Sequence, residues 1–220
     1  MKREIIVTED GSTTIHIPEW NEQYHSKHGA IQEAKHVFLK SGLHLFHNRE
    51  IQLLEVGFGT GLNCLLTLLE LESFELEVNY VGVEAYPVVK EELDKLNYTD
   101  TLNHDQAAVL FNTLHQSEWE KSITVTDRLK LTKRKQLFSD IKDKNTFDLV
   151  YFDAFGARVQ PELWTVAIFK IMYEAMKKNG VLVTYSAKGS VRRAMQEVGF
   201  VVERLPGPPG KREMLRCTKK

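Results

Sequence analysis

The chain has 220 residues, 42% hydrophobic and 27% charged, with 13 Gly, 6 Pro and 2 Cys; this is ordinary globular composition and excludes wholesale disorder. A net charge of −1 excludes a uniformly basic nucleic-acid binder, and Cys64 and Cys217 alone cannot build a disulfide framework or a zinc site. No apolar run is long enough to span a membrane and MKREIIVTEDG lacks the apolar core of a signal peptide, so a soluble cytoplasmic protein is expected.

Residues 4–17 hold two β-rich runs around Asp10-Gly11, a hairpin signal closed by Pro18. Residues 29–47 place Ile31, Ala34, Val37 and Phe38 near helical spacing, with Gly42 as a break. From about residue 50 strands and helices alternate. IQLLEVG, VNYVGVEA, KQLFSDI, FDLVYFDAF and GVLVTYS read as strands. LNCLLTLLELE, VVKEELDKL, ELWTVAIFKIMYEAMK and SVRRAMQEVG read as helices. FVVERL and EMLRCT suit a closing antiparallel pair, and SITVTDRLKLTKRKQLF suits an inserted hairpin with Lys133-Arg134-Lys135 at a solvated tip. This alternation predicts an α/β fold with a mostly parallel sheet covered by helices on both faces. Residues 1–48 form an N-terminal hairpin-and-helix extension, and 49–220 form the main domain.

Strand IQLLEV runs into Gly57-Phe58-Gly59-Thr60-Gly61 and then a helix beginning Leu62-Asn63-Cys64. Alternate glycines allow a sharp turn and close approach of a ligand. The spacing is not the dinucleotide G-x-G-x-x-G, and no Lys-Ser or Lys-Thr follows for phosphate. Glu55 beside the loop suits a cationic ligand part, such as the amino group of S-adenosylmethionine. Glu84 ends the second strand, where a carboxylate can accept both hydroxyls of a ribose. Asp140, after KQLF, can reach an adenine amino group, and Asp153 ends FDLVYF in the crevice where open α/β sheets bind ligands. Taken singly, each acid reads as a solvated loop charge; three at successive strand ends behind a glycine loop favour a site. Phe155 and Trp164 can stack on a flat base, and a core role suits Trp164 equally well. The His residues are scattered. His36, His44 and His47 share a segment without completing a ligand set, so no metal is expected. Cys64 and Cys217 read as packing residues.

Further motifs carry a resemblance. YFDAFGARVQPELWT, TYSAKGSVRRAMQEVGF and GPPGKREML, together with EVGFGTGLN and YHSKHGAIQEAKHVFL, resemble the methyltransferase part of the bacterial tRNA wobble-uridine modification enzymes. The similarity covers roughly residues 20–217. It implies a Rossmann-like class I S-adenosylmethionine-dependent methyltransferase with a seven-stranded sheet and a C-terminal antiparallel strand. The implied reaction converts 5-aminomethyl-2-thiouridine to its 5-methylaminomethyl form. The resemblance of the loop implies that Glu55, Gly57, Phe58, Gly59, Thr60, Gly61 and Asn63 bind cofactor; the strand-end acids Glu84, Asp140 and Asp153 are expected to bind it with them, with Asp153 also acting on the methyl acceptor. The family usually has a Pro soon after this Asp; here the run is Asp-Ala-Phe-Gly, with Gln160-Pro161 further on. Bifunctional members continue into a flavin oxidase; this chain stops at Lys220 and is expected to act as the methyltransferase alone.

The net charge conceals a division. Residues 177–220 hold 11 basic and 3 acidic residues, a net of +8, so the first 176 carry −9. Lys188, Arg192, Arg193, Lys211 and Arg212 are therefore candidates for contacting a tRNA anticodon stem-loop through its phosphates, with Phe155 or Tyr185 stacking on the target base. Gly207-Pro208-Pro209-Gly210 is a stiff loop that presents Lys211 and Arg212. Nothing calls for an obligatory protein partner. Other readings are a methyltransferase for another RNA base or a small amine, an aminopropyl transferase, and a catalytically silent cofactor- or RNA-binding module. The aminopropyl reading is disfavoured because no acidic pair to grip a polyamine follows Asp153.

Overall fold

A computed structural model describes residues 2–220. The chain opens with strands β1 (Glu4–Val7) and β2 (Thr13–Ile17), antiparallel with Ile5 opposite Ile15, and a short β3 (Glu22–Gln23) completes a three-stranded sheet. The turn is organised by Asp10. Its Oδ1 accepts from Thr8 Oγ1 (2.7 Å) and Ser12 N (3.1 Å), and its Oδ2 accepts from Gln32 N (3.1 Å) in helix α1 (Ala30–Ala34). One carboxylate thus closes the hairpin and satisfies a free donor at a helix start. Helix α1 continues as a π-helical segment, Lys35–Lys40, and the helical run ends before Gly42.

Strand β4 (Arg49–Val56) leads to α2 (Leu62–Glu70), β5 (Leu76–Val83) and three helices, α3 (Lys90–Leu93), α4 (Tyr98–Leu102) and α5 (Ala107–Gln116). A hairpin follows, β6 (Ser122–Thr126) and β7 (Leu129–Arg134), and then β8 (Phe147–Phe152), α6 (Val166–Ala175), β9 (Met176–Thr184), α7 (Gly189–Val198), β10 (Phe200–Pro206) and β11 (Glu213–Lys219). The main sheet has the order β10-β11-β9-β8-β4-β5-β7-β6. Strands β7, β5, β4, β8 and β9 are parallel, while β11 inserts antiparallel between β9 and β10. β8 is buried at every position, and β4 over Leu53–Val56, as expected for strands covered on both faces.

Several elements differ from expectation. Among the described residues the main sheet has eight strands where seven were expected, because β6 adds an antiparallel edge beside β7. KQLFSDI is not a strand: the third parallel strand is Leu129–Arg134, and Phe138–Asp140 is a single 3-10 turn. Lys133 and Arg134 therefore lie within β7 and not at a hairpin tip. Lys133 is 1% exposed, donates to His115 O (3.2 Å) and stands 5.0 Å from the Trp119 ring centroid. Arg134 pairs with Asp143 at 2.7 Å. Pro161–Trp164 forms a separate 3-10 turn before α6, which Thr165 caps, and Met176 already belongs to β9.

Helix α2 explains where the N-terminal segment sits. Leu62 through Leu68 are all buried, too many for a helix with one solvated face. Ile31, Ala34, Val37, Phe38 and Leu39 share one apolar cluster with Leu62, Leu65 and Leu66. Asn97 ties the hairpin down as well, accepting from Thr13 N (2.8 Å) and Thr13 Oγ1 (3.0 Å) through Oδ1.

Candidate active site

A cavity of about 1110 Å³ lies beyond the carboxyl ends of β4, β5 and β8. Its other walls come from residues 17–28, from Glu33 in α1 and from Gly210-Lys211. The glycine loop forms its floor. Gly57, Gly59 and Gly61 have φ of +94°, +48° and +73°. A Cβ at Gly57 would lie 2.5 Å from the Asp153 carbonyl oxygen, so the ends of β4 and β8 meet there without room for any side chain.

Three loop residues have supporting positions and do not line the cavity. The Phe58 ring covers Gly82, where a Cβ would lie 2.3 Å from Phe58 Cδ2, and anchors the loop in the core. Thr60 is fully buried; its Oγ1 contacts His25 Nε2 (3.0 Å) and accepts from Tyr98 OH (3.1 Å), and its carbonyl meets His115 Nε2 (3.0 Å). Gly61 caps α2 and donates to Phe58 O (2.8 Å). Burial pushes His25 and His115 down to about 4, so both rings stay neutral near pH 7.

The acids separate into different roles. Glu84 lines the cavity; its Oε2 accepts from Gly59 N (3.1 Å) and its Oε1 from Tyr86 N (2.9 Å). These contacts fix the carboxylate and leave acceptor capacity for a pair of hydroxyls. Glu55 does not reach the cavity to meet a cationic ligand part. It is fully buried, and its oxygens accept from Asn63 Nδ2 (2.9 Å) and Tyr80 OH (2.8 Å). Burial pushes its carboxyl well above the usual range, against both hydrogen bonds. Asn63 is likewise buried away from the cavity lining, and its Nδ2 also donates to Asp153 Oδ2 (2.9 Å). Asp140 is exposed in the 3-10 turn and outside the lining; Leu137, Phe138 and Ser139 line that wall instead.

Asp153 is held on a tightly pinned segment. Its own N–H donates to Val56 O (2.9 Å), Ala154 O accepts from Tyr185 OH (2.8 Å), and Phe155 O accepts from Trp164 Nε1 (2.7 Å). Trp164 is thereby a core residue, 5% exposed, and not a base-stacking platform. Burial is the largest influence on Asp153 and raises its carboxyl to about 7; the Glu33 charge raises it further, while Asn63 and Lys211 oppose the rise.

Lys211 differs from its expected role. Its ammonium pairs with buried Glu33 and lies 4.5 Å from the Tyr185 ring centroid, inside the cavity wall. It is engaged within the protein and not held out toward a phosphate. Tyr185 accordingly has one ring face under a cation. Phe155 meets Trp20 (5.5 Å) and Tyr24 (4.9 Å) edge to face, making an aromatic corner of the cavity. Lys188 and Arg212 border a smaller recess of about 400 Å³ that shares Tyr185 and Lys211 with the main cavity. Arg192 and Arg193 lie on α7, Arg193 exposed and Arg192 half-buried. Among the described residues no three His, Cys, Asp or Glu side chains gather at a metal-sized site. No helix among them is long and apolar enough to cross a membrane.

Glu33, Trp20, Tyr24 and His25 were not identified from sequence. Glu33 had one visible signal: an acid beside Ala34 in a run that also holds Ala30 and Ile31. The others belong to short irregular segments whose partners are distant in sequence.

The family described as S-adenosyl-L-methionine-dependent methyltransferase matches residues 97–220. A Paraburkholderia xenovorans protein, the tRNA 5-methylaminomethyl-2-thiouridine biosynthesis bifunctional protein MnmC, is 30% identical over 90% of this chain and 32% of its own length. Its Burkholderia mallei counterpart is 30% identical over 96% of this chain and 34% of its own. The chain thus spans about a third of the length of these curated relatives. Among solved structures, MNMC2 from Aquifex aeolicus superposes with a TM-score of 0.80 at 27% identity, over 100% of this chain and 70% of that one. Spermidine synthase from Thermotoga maritima superposes at 0.62 with 14% identity, over 99% and 69%, a likeness of fold alone.

Proposed function

The chain belongs to the S-adenosyl-L-methionine-dependent methyltransferase family, and from that premise we propose that it methylates the aminomethyl nitrogen of 5-aminomethyl-2-thiouridine at the tRNA wobble position. The observation that carries this reading is the placement of Asp153, held at the cavity wall by the contact of its carbonyl with Gly57 and raised to about 7. The names of the MnmC relatives supply the substrate class.

The cavity's residues fit the cofactor. Gly57 and Gly59 expose backbone where no side chain intrudes, and Glu84 offers a fixed carboxylate for the ribose hydroxyls. When bound, S-adenosylmethionine supplies a methyl group on a positively charged sulfur. The protein's own task concerns the acceptor amine. A simple alkylamine has a pKa of about 10.4, so keeping it neutral near pH 7 costs about 4–5 kcal/mol. An anionic neighbour alone would worsen that cost. Asp153, poised near neutrality, avoids being a full permanent counter-charge and can accept the proton that the amine sheds. Its pinned backbone holds the acceptor oxygen in place, and such positioning supplies up to about 7–11 kcal/mol.

Glu33 and Lys211 form the opposite side of this chemistry. Their pairing places both signs of charge beside Tyr185 and moderates the field at Asp153. The aromatic corner of Trp20, Tyr24 and Phe155 offers ring surface for an extruded base. Lys188, Arg192, Arg193 and Arg212 give the basic face beside it, suited to backbone phosphates. In this arrangement residues 49–220 carry the transfer chemistry and residues 1–48 form the extension that closes the cavity.

The test is labelled S-adenosylmethionine offered with tRNA lacking the final methyl group, and in parallel with small primary amines. Label in tRNA supports the proposal. Label in small amines alone contradicts it, and cofactor binding without any transfer marks a silent module.

A further inference from the structure

Asn63 presents an anomaly inside the buried framework. Its amide nitrogen donates to two carboxyl groups, at Glu55 Oε1 and Asp153 Oδ2, each at 2.9 Å. Its amide oxygen is buried and has no partner among the described residues. Buried polar atoms are rarely left in this state, and each instance requires a reason. Turning the amide over would bring its oxygen against the Asp153 carboxylate and take the N–H donors away from that acceptor. The unpartnered oxygen is therefore the consequence of an orientation in which the amide N–H groups face Asp153 and Glu55.

The chain of contacts begins further inside. Tyr80 OH donates to Glu55 Oε2 at 2.8 Å, and Tyr80 and Glu55 are 1% and 0% exposed. Tyr80 fixes Glu55, Glu55 fixes the Asn63 amide, and Asn63 holds one oxygen of Asp153. Because α2 starts directly after the glycine loop, the same residue joins the loop's helix to the end of β8.

We infer that Asn63 is a positioning residue for methyl transfer: held by Glu55, which Tyr80 holds in turn, it fixes the orientation of the Asp153 carboxyl at the cavity wall. This rests on the methyltransferase reading of Asp153 but not on the identity of the acceptor. The sign follows from the hydrogen bond. An N–H donated to a carboxylate favours its charged form, so removing the donor raises the Asp153 midpoint.

The experiment is a ¹³C NMR titration of protein labelled in its aspartate carboxyls, with the Asp153 signal assigned by Asp153→Asn. Asn63→Ala is expected to raise the Asp153 midpoint by about one pH unit, since a hydrogen bond to a charged group has about that effect. Asn63→Leu fills the same volume without a donor and serves if the alanine variant does not fold. Glu55→Gln keeps an acceptor for the amide and is expected to leave the midpoint in place, whereas Glu55→Ala moves it upward. The acid limb of the turnover profile should shift with the midpoint, at unchanged cofactor affinity. A folded Asn63→Ala or Asn63→Leu protein with an unmoved Asp153 midpoint overturns the inference. The titration needs no substrate, so failure to methylate tRNA contradicts the substrate reading without affecting this result.

Discussion

Asp153 shows how residue type and placement divide the work. The acid at the end of an apolar strand was visible in FDLVYFDAF, but its proton affinity was not, because burial and Glu33 set it from distant parts of the chain. With the carboxyl raised to about 7, its charged, proton-accepting form gains population as pH rises through that value. Turnover is therefore expected to climb between about pH 6 and pH 8, measured as initial rate at saturating cofactor. Asp153→Asn should lose about a hundredfold or more of that rate while still binding S-adenosylmethionine by calorimetry. An Asn variant with near-normal turnover would remove Asp153 from its role. Glu84 was legible for a simple reason, since it ends a strand and faces the crevice. Glu55 and Asp140 were not separable from it by sequence. One is locked in the core by Tyr80 and Asn63, and the other lies exposed in a turn.

At the scale of elements, strands buried on both faces were the easiest to recognise. β8 is apolar at every position but Asp148, and β4 is buried over Leu53–Val56. The β6–β7 hairpin was legible, but its place in the parallel sheet was not, because Leu129–Arg134 mixes two Leu with Lys, Thr and Arg and resembles half-exposed hairpin sequence. Lys133 breaks the usual rule by burying a cationic side chain over Trp119, and burial pushes it down to about 8. The glycine loop was recognisable from its spacing, yet the reason for Gly57 is tertiary: contact with the Asp153 carbonyl. Gly57→Ala combines that clash with a left-handed backbone. It is expected to destabilise the fold by about 2 kcal/mol and to weaken cofactor binding, as measured by denaturant melts and calorimetry. Unchanged stability would mean that β4 and β8 can separate at little cost.

The whole molecule is held by contacts between segments far apart in sequence. His25 from the N-terminal segment, buried, and His115 from α5, half-buried, both meet Thr60 while neutral. Their affinity for protons is lowered in the folded state, from about 6.5 to about 4, so the stability they confer is present above about pH 6.5 and is lost as pH falls toward 4. Each contributes on the order of 3 kcal/mol to that loss, which thermal melts across this window should reveal. His25→Gln and His115→Gln should flatten the dependence. The charge division is also a property of the whole chain. A net of −1 conceals a basic C-terminal portion, although Lys211 within it is internally paired. Affinity for tRNA is accordingly expected to fall with salt, and Arg192→Ala with Arg212→Ala to shallow that slope by about two phosphate contacts.

The most direct measurement is mass analysis of nucleosides from undermodified tRNA after incubation with this protein and S-adenosylmethionine. Conversion of 5-aminomethyl-2-thiouridine to a nucleoside one methyl heavier is expected, with the methyl on the side-chain nitrogen, and no conversion by Asp153→Asn. A wobble nucleoside left unchanged by folded, cofactor-binding protein, or a methyl group found on another base, would contradict it.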